Sequence, residues 1–219
     1  MEVLFYQPHN KFWNQTLVFQ NLIKNINQNI NVLTCNGVLK NHCMVFNAKK
    51  LPINGDNLKK KNICEECISN KKIYKRFNKN IKFFDIDNFL SSTDHLEINR
   101  HLEKINKDNY KKFEIDNIKL GIIATHDVIL IQKLNNIFSL EENYWQEYIS
   151  VLRSTLITFY GIRNFMKKAS IDRVITFNNL YCTNRVIAKF TEQKKIVNYN
   201  MSTGFAIANQ SLQFLKLTE

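Results

Sequence analysis

The first 35 residues alternate between short apolar runs and a helical pattern, and this alternation limits the chain to few architectures. Val3–Tyr6 is an almost uninterrupted apolar run, which is typical of a buried strand. Apolar residues between Trp13 and Ile26 then recur at helical spacing, and Asn31–Thr34 begins a second strand. A strand, a helix and a strand over this length form a βαβ unit, which predicts two parallel strands.

The same alternation returns in the second half of the chain. It consists of a long helical pattern, a strand, a second helix and a second strand: Asn143–Lys168, Arg173–Phe177, Cys182–Gln193 and Ile196–Tyr199. The sequence therefore predicts an α/β fold, with a Rossmann-like parallel sheet, flanking helices and a Cys-rich, basic insertion after the second strand. We expect residues 1–219 to form one Rossmann-like domain, with residues 35–82 as the insertion within it.

The formal charge of +12 is concentrated in the expected insertion, which ends in a basic helix predicted near Glu65–Asn78. Residues 36–82 hold twelve Lys or Arg against three acidic side chains. Such a segment can attract phosphate, anionic lipid or an acidic glycan. The alternative is compositional, because a chain rich in Lys and Asn scatters lysines over solvated faces.

The apolar runs are short, and no segment approaches the roughly 20 apolar residues that a membrane span needs. The N-terminal residues MEVLFYQPHN lack the basic and then apolar layout of a signal peptide. These patterns predict a cytoplasmic protein, with a peripheral position at the inner face of the membrane as an alternative.

The spacing of four cysteines predicts a metal site. Cys35 and Cys43 are separated by seven residues, and Cys64 and Cys67 form a C-x2-C pair further along the chain. Four thiolates in two groups can close a tetrahedral structural zinc site, which supplies folding energy where apolar residues are few. Free thiols and a disulfide or redox pair are the alternatives. The fifth cysteine, Cys182, is predicted to be an ordinary buried thiol on a helix.

Polar side chains follow three of the predicted strands, where open α/β sheets bind ligands. His9 and Asn10 follow the first strand. Asn178 and Asn179 follow the strand that ends at Phe177, and Arg185 lies in the next helix. The residues after the strand near Tyr199 are Ser202, Thr203 and Gly204. Imidazole, amide and guanidinium groups at one sheet edge suit a polyhydroxylated or phosphorylated ligand. The alternative is that the asparagines only stabilise turns. No Gly-rich phosphate-binding fingerprint follows the first strand.

Four segments together resemble the N-terminal half of bacterial surface or capsular polysaccharide glycosyltransferases of the two-Rossmann-domain (GT-B) type. They are CNGVLKNHC, ICEEC, KLGIIATHDVI and VITFNNLYCTNRVIAKF. Phe177 and Asn178 match a stretch that reads roughly fNGr in that family, Arg185 matches its later arginine, and Asn179 replaces the glycine. At the turn after the next strand, only Gly204 is kept.

This resemblance implies a glycosyltransferase-like protein of cell-surface polysaccharide biosynthesis that holds the acceptor-binding half. The donor-binding domain would be missing, as in a truncated or split enzyme, or supplied by a separate chain. The implied partners are a glycan or lipid-linked acceptor and an anionic membrane surface, and a nucleotide sugar would be the co-substrate. His9 would be the base that deprotonates the acceptor hydroxyl.

The alternative function is a non-enzymatic, zinc-bearing basic module that binds nucleic acid or an anionic surface. The basic residues concerned include Lys59–Lys61, Lys71, Lys72, Lys75 and Arg76. Almost all of the charge is Lys, whereas Arg is favoured for bidentate phosphate and base contacts. The sequence analysis therefore predicts against nucleic acid as a partner.

Overall fold

The computed structural model of the chain describes six stretches of residues. They are 1–9, 28–51, 53–77, 80–134, 142–203 and 212–216. The predicted helix between Trp13 and Ile26 lies outside the described residues, as do Asn10 and Gly204.

The described elements alternate largely as the sequence predicts. The strands are β1 (Glu2–Gln7), β2 (Asn29–Thr34), β3 (Lys82–Asp85), β4 (Arg173–Phe177), β5 (Val197–Thr203) and β6 (Leu212–Lys216). The helices are α1 (Met44–Ala48), α2 (Asn57–Phe77), α3 (Ser92–Lys104), α4 (Leu120–Gln132), α5 (Glu142–Lys168) and α6 (Cys182–Gln193). Single 3-10 turns span Ile86–Phe89 and Tyr110–Lys112.

The six strands form one sheet in the order β3-β2-β1-β4-β5-β6, in which β1 to β5 are parallel. The α/β fold class predicted from the sequence is confirmed, including the insertion between the second strand and the next. β6 pairs antiparallel with β5, which the sequence analysis did not predict. Phe5 lies opposite Val32 on one side and Ile175 on the other, so β1 is a central strand.

The core lies on both faces of β1, because alternate side chains of a strand point to opposite faces. Leu4 and Tyr6 pack into a large cluster with α3 to α6, whereas Val3 and Phe5 pack into a smaller cluster on the opposite face. The middle of the α5 stripe that the sequence predicted, from Tyr148 to Ile162, lies fully buried, whereas Tyr144 and Met166 at its ends are partly buried against the large cluster. Among the described residues, no helix is long and apolar enough to cross a membrane.

The insertion has little core of its own, as its composition implied. Its separate cluster of buried apolar residues holds only Val45, Phe46 and Ile63. α2 begins at Asn57, well before the predicted start near Glu65, because the Asp56 carboxylate accepts hydrogen bonds from the first backbone N–H groups of the helix.

A buried ion pair fastens α2 to the sheet. The Lys71 ammonium lies 2.6 Å from Asp85 Oδ1 at the end of β3. The Thr34 hydroxyl, at the end of β2, donates to the same carboxylate oxygen at 2.6 Å. The Lys71 ammonium also donates to Asn36 Oδ1 at 3.2 Å, so the helix is held to the ends of two neighbouring strands.

We expect Gly121→Ala to destabilise the protein, although alanine is the better helix former. A Cβ atom at Gly121 in α4 would lie 1.8 Å from the Tyr110 carbonyl oxygen, so helix and turn must separate. The predicted loss is about 2 kcal/mol or more of unfolding free energy, measured by urea denaturation. Leu130→Ala on the same helix is the control, because Leu130 is 40% exposed and its loss should change stability by only about 0.5 kcal/mol. Equal stability of both variants would contradict the close approach.

Candidate functional site

The strand order reverses between β1 and β4, and residues that follow β1 and β2 line a cavity at the carboxyl edge of the sheet. Open parallel sheets bind ligands at such a reversal. This small cavity has a volume of about 20 Å³. It is lined by residues from both halves of the chain: Pro8, His9, Cys35, Leu39, His42, Cys43, Met44, Asp127, Cys182 and Thr183.

A buried imidazole, carboxylate and thiol meet at one wall of this cavity. His42 Nε2 lies 3.0 Å from Asp127 Oδ2, and the Cys182 backbone N–H donates to the same oxygen at 3.1 Å. Burial, and after it the negative charge of Asp127, raises the pKa of the Cys182 thiol well above its usual range. The predicted burial of Cys182 is confirmed, but its surroundings are not those of an ordinary core thiol.

The position of Asp127 follows from the start of α6. Tyr181, the N-cap residue of α6, makes no side-chain capping bond, and Cys182 is the first residue of the helix. The Asp127 carboxylate, which lies on α4, caps α6 instead by accepting the Cys182 N–H. A negative charge near a helix N-terminus is favourable. Its neighbour His126 lines a different pocket, since adjacent residues of a helix point in different directions.

His9 lies buried directly after β1 and lines the same small cavity. Burial lowers the pKa of its imidazole from 6.5 to about 4. The side chain is therefore neutral at pH 7 and can accept a proton. The sequence prediction of a base at His9 stays a prediction, now with a protonation state that suits it.

The four cysteines of the predicted zinc site line a second small cavity, beside the first, together with His9 and Lys40. Burial raises the pKa of the Cys35 and Cys43 thiols to about 12. A closed zinc site holds its sulfurs about 2.3 Å from the metal. No three of these sulfurs lie within 4.8 Å of one another, and the group that meets this limit among the described residues is His42, Asp127 and Cys182. The four-thiolate site stays a prediction that would require the sulfurs to move closer.

Asn178 and Asn179 stabilise their own turn after β4. Asn178 has a left-handed backbone, with φ of 55°, and its side-chain oxygen accepts the Leu180 N–H at 2.8 Å. Asn179 Oδ1 accepts the Thr176 hydroxyl at 2.9 Å. These bonds match the turn-forming alternative of the sequence analysis. Substrate binding by Asn178 and Asn179 stays a prediction.

Arg185 lies away from the small cavities, in a large groove between α4 and α6. The groove has a volume of about 990 Å³, and its walls are mostly apolar, with Ile118, Ile122 and Ile123 among them. Arg185 lines it together with His126, whose pKa is lowered by burial and by the Arg185 charge. Lys111, Lys119 and Lys189 add further positive charge. Such a groove suits an apolar ligand with an anionic end.

Comparison of sequences finds no matching family and no matching curated protein. Solved structures match in fold. One is a CDPS, or cyclodipeptide synthase, from Fluoribacter dumoffii, with a TM-score of 0.55 and 8% identity over 98% of this chain and 90% of that chain. A cyclo(L-leucyl-L-phenylalanyl) synthase has a TM-score of 0.46 and 5% identity over 86% of this chain and 82% of that chain. AlbC, a cyclodipeptide synthase from Streptomyces noursei, has a TM-score of 0.43 and 2% identity over 85% and 87%.

The resemblance to GT-B glycosyltransferases is wrong. A solved structure that shares this fold is the CDPS from Fluoribacter dumoffii, and the likeness covers nearly the whole of both chains. Asn178, which carried the resemblance, is engaged in its own turn. The motifs that suggested the family are short, and loop residues after a strand recur on many Rossmann-like sheets.

The functions and partners inferred from that resemblance are withdrawn with it. They are polysaccharide or capsule biosynthesis, a glycan or lipid-linked acceptor, a nucleotide sugar, an anionic membrane surface and a separate donor-binding chain. The alternative of a non-enzymatic, zinc-bearing module is also wrong, because the fold is shared over nearly the whole chain with a solved CDPS and not with a small nucleic-acid-binding module. The prediction against nucleic acid rested on the excess of Lys over Arg and on a core like that of a sugar transferase, and it is overturned too, because the fold is shared with a CDPS.

The sequence analysis missed the pairing of His42 with Asp127. A signal was present, because Asp127 is the one carboxylate in the apolar stretch LGIIATHDVILI. A charged side chain is buried in such a helix only when a partner compensates its lost hydration. The partner could not be read from the sequence, since His42 and Asp127 lie 85 residues apart.

We expect His9 to make stability depend on pH between about 6.5 and 4. Below pH 6.5 the unfolded chain takes up a proton at His9, whereas the folded protein does so only near pH 4. Stability contributed by neutral His9 is therefore complete above pH 6.5 and falls by up to about 3 kcal/mol as the pH drops to 4. Urea denaturation across this range should show a shallower pH dependence for His9→Gln. His95→Gln, which changes an exposed histidine, is the control, and identical slopes for all three proteins would contradict the prediction.

Proposed function

We propose that this protein is an enzyme that joins two aminoacyl groups, delivered as aminoacyl-tRNAs, into a cyclic dipeptide. The observation that supports this function is the likeness of fold to the Fluoribacter CDPS over 98% of this chain and 90% of that chain. An amino acid held as a tRNA ester is already activated, so the reaction needs acyl transfer and positioning.

Cys35 is our candidate for the group that accepts the first aminoacyl unit. It is the first residue after β2, at the carboxyl edge of the sheet, and it lines both small cavities beside the strand-order reversal. The sulfur attacks the ester carbonyl carbon, the bond to the tRNA oxygen breaks, and a thioester forms. The amine of a second aminoacyl-tRNA attacks that thioester and regenerates the thiol. The free amine of the dipeptide then attacks the remaining ester and closes the ring.

His9 is our candidate for the base of the first step. Because burial raises the pKa of Cys35 to about 12, the thiol is protonated at neutral pH and needs a proton acceptor. Neutral His9 lines the same two cavities and can take that proton as the carbon–sulfur bond forms, because the sulfur becomes far more acidic during the attack. The imidazole then returns it to the departing tRNA oxygen, so that protons balance over the transfer.

The basic helix α2 is our candidate for the surface that binds the tRNA. Its exposed cations are Lys59, Lys61, Lys72, Lys75 and Arg76. Lys71 is already paired with Asp85, which fixes the helix at the end of β3. A fixed row of exposed cations attracts a polyanion by releasing its counterions.

We expect expression of the chain in a bacterial host to yield cyclic dipeptides, detected by mass spectrometry of the medium. The purified protein should form the same products from charged tRNA, and ribonuclease should abolish their formation. Cys35→Ala should reduce the rate at least about 1000-fold because it removes the acyl acceptor. Cys35→Ser should retain a low rate, since a hydroxyl can replace a thiol as acceptor.

Cys67→Ser is the matched control for these variants, because Cys67 lines only the second of the two cavities. If Cys35 is a zinc ligand and not the acceptor, the serine variants of Cys35 and Cys67 should lose equal activity. No cyclic dipeptide from the wild-type protein with any charged tRNA would refute the proposed function.

We expect the double variant Lys72→Glu/Lys75→Glu to weaken substrate binding and leave the turnover number nearly unchanged. The apparent KM for aminoacyl-tRNA should rise roughly 10-fold or more, and its salt dependence should become shallower. The control is Arg100→Glu/Lys104→Glu, which makes the same charge change on exposed residues of α3. An equal rise of KM in both double variants would show that only net charge matters.

A further inference from the structure

Three segments that are distant in sequence bring three different metal-binding groups together. His42 precedes α1, Asp127 lies within α4, and Cys182 begins α6. Their ligand atoms all lie within 4.8 Å of one another. The three residues are 4%, 0% and 1% exposed, so the group is enclosed by protein.

The Asp127 carboxylate is only half satisfied by the described residues. Its Oδ2 atom accepts from both His42 Nε2 and the Cys182 backbone N–H. Its Oδ1 atom is equally buried and accepts no hydrogen bond from the part of the chain that the structure describes. A buried, unpartnered carboxylate oxygen is expensive, so a partner beyond the described residues is expected at this position.

The cavity beside these groups has the size of one small ligand. His42, Asp127 and Cys182 all line it, and its volume of about 20 Å³ accommodates one water molecule or one ion. An ion pair between His42 and Asp127 alone would leave Asp127 Oδ1 without a donor among the described residues. The Cys182 thiol is hydrogen-bonded to the Asp127 carboxylate and to Thr155, so it already faces the same group. A cation between the three groups would use all of them.

We propose that His42, Asp127 and Cys182 bind one zinc ion. Nitrogen, carboxylate oxygen and thiolate sulfur together match the ligand preference of zinc. The 3.0 Å between His42 Nε2 and Asp127 Oδ2 is close to the roughly 3.3 Å that two zinc ligands keep in a tetrahedron. Because Zn²⁺ balances one carboxylate and one thiolate, the buried site is neutral. Three protein ligands leave a fourth position open towards the cavity.

This site is separate from the one predicted from cysteine spacing. It shares no residue with Cys35, Cys43, Cys64 and Cys67. It also does not depend on the proposed function, because metal binding can be measured without any substrate. Its consequence for the fold is a cross-link that ties the start of the insertion to α4 and α6 at the strand-order reversal.

The test is metal binding by the full chain. The protein is stripped of metal with a chelator and titrated with zinc, and the bound metal is measured by mass spectrometry. His42→Gln and Cys182→Ser should each lose one equivalent of zinc, or bind it roughly 100-fold more weakly or worse. The double variant Cys64→Ser/Cys67→Ser is the matched control and should keep that equivalent. Circular dichroism confirms that each variant is folded.

Cobalt substitution tests the site by its absorption spectrum, in the control double variant and in the same variant with Cys182→Ser added. The control double variant loaded with cobalt should show a thiolate-to-metal charge-transfer band, and Cys182→Ser should remove it. The proposal is overturned if the wild-type chain binds no zinc or cobalt. It is also overturned if Cys182→Ser keeps the full equivalent while the control variant loses it, which would assign the metal to the four cysteines.

Discussion

The structure depends on the burial of β1, from Val3 to Gln7, between two parallel neighbours. Phe5 pairs with Val32 on one side and with Ile175 on the other, so the strand has no free edge. Because both faces are covered by apolar residues, β1 separates the larger cluster from the smaller one. The strand order reverses beside it, and the candidate site lies at that reversal, where His9 follows β1 and Cys182 begins the helix after β4.

Buried polar groups then determine how the surrounding segments are held. Lys71 and Asp85 fasten the basic helix to the ends of β2 and β3, where the insertion has few apolar residues of its own. Asp127 likewise holds α6 and the segment that contains His42 to α4, through its contacts with the Cys182 N–H and with His42 Nε2. A buried carboxylate of this kind stabilises only one arrangement, because losing a partner leaves an uncompensated charge. The specific positions at the candidate site thus come from polar contacts, and the bulk of the stability comes from apolar packing.

The fold and the function require different kinds of evidence. A Rossmann-like sheet serves many unrelated reactions, so the predicted α/β architecture was compatible with a glycosyltransferase. The short motifs around Asn178 could not distinguish between families, since an asparagine in a left-handed turn is favoured for its backbone alone. The likeness to a CDPS extends over 98% of this chain, whereas the motifs around Asn178 involve only a few loop residues.

The sequence alone determined the elements whose signal is local. Arg173–Phe177 and Cys182–Gln193 were predicted with the bounds that the structure has, because apolar periodicity depends only on near neighbours. It also determined the location of the excess charge and of the helix that carries it. Only the tertiary structure decided which side chains meet. Three residues that lie far apart in the chain, His42, Asp127 and Cys182, meet at one cavity. They meet because their segments pack around the buried strand β1, and no local sequence pattern encodes that packing.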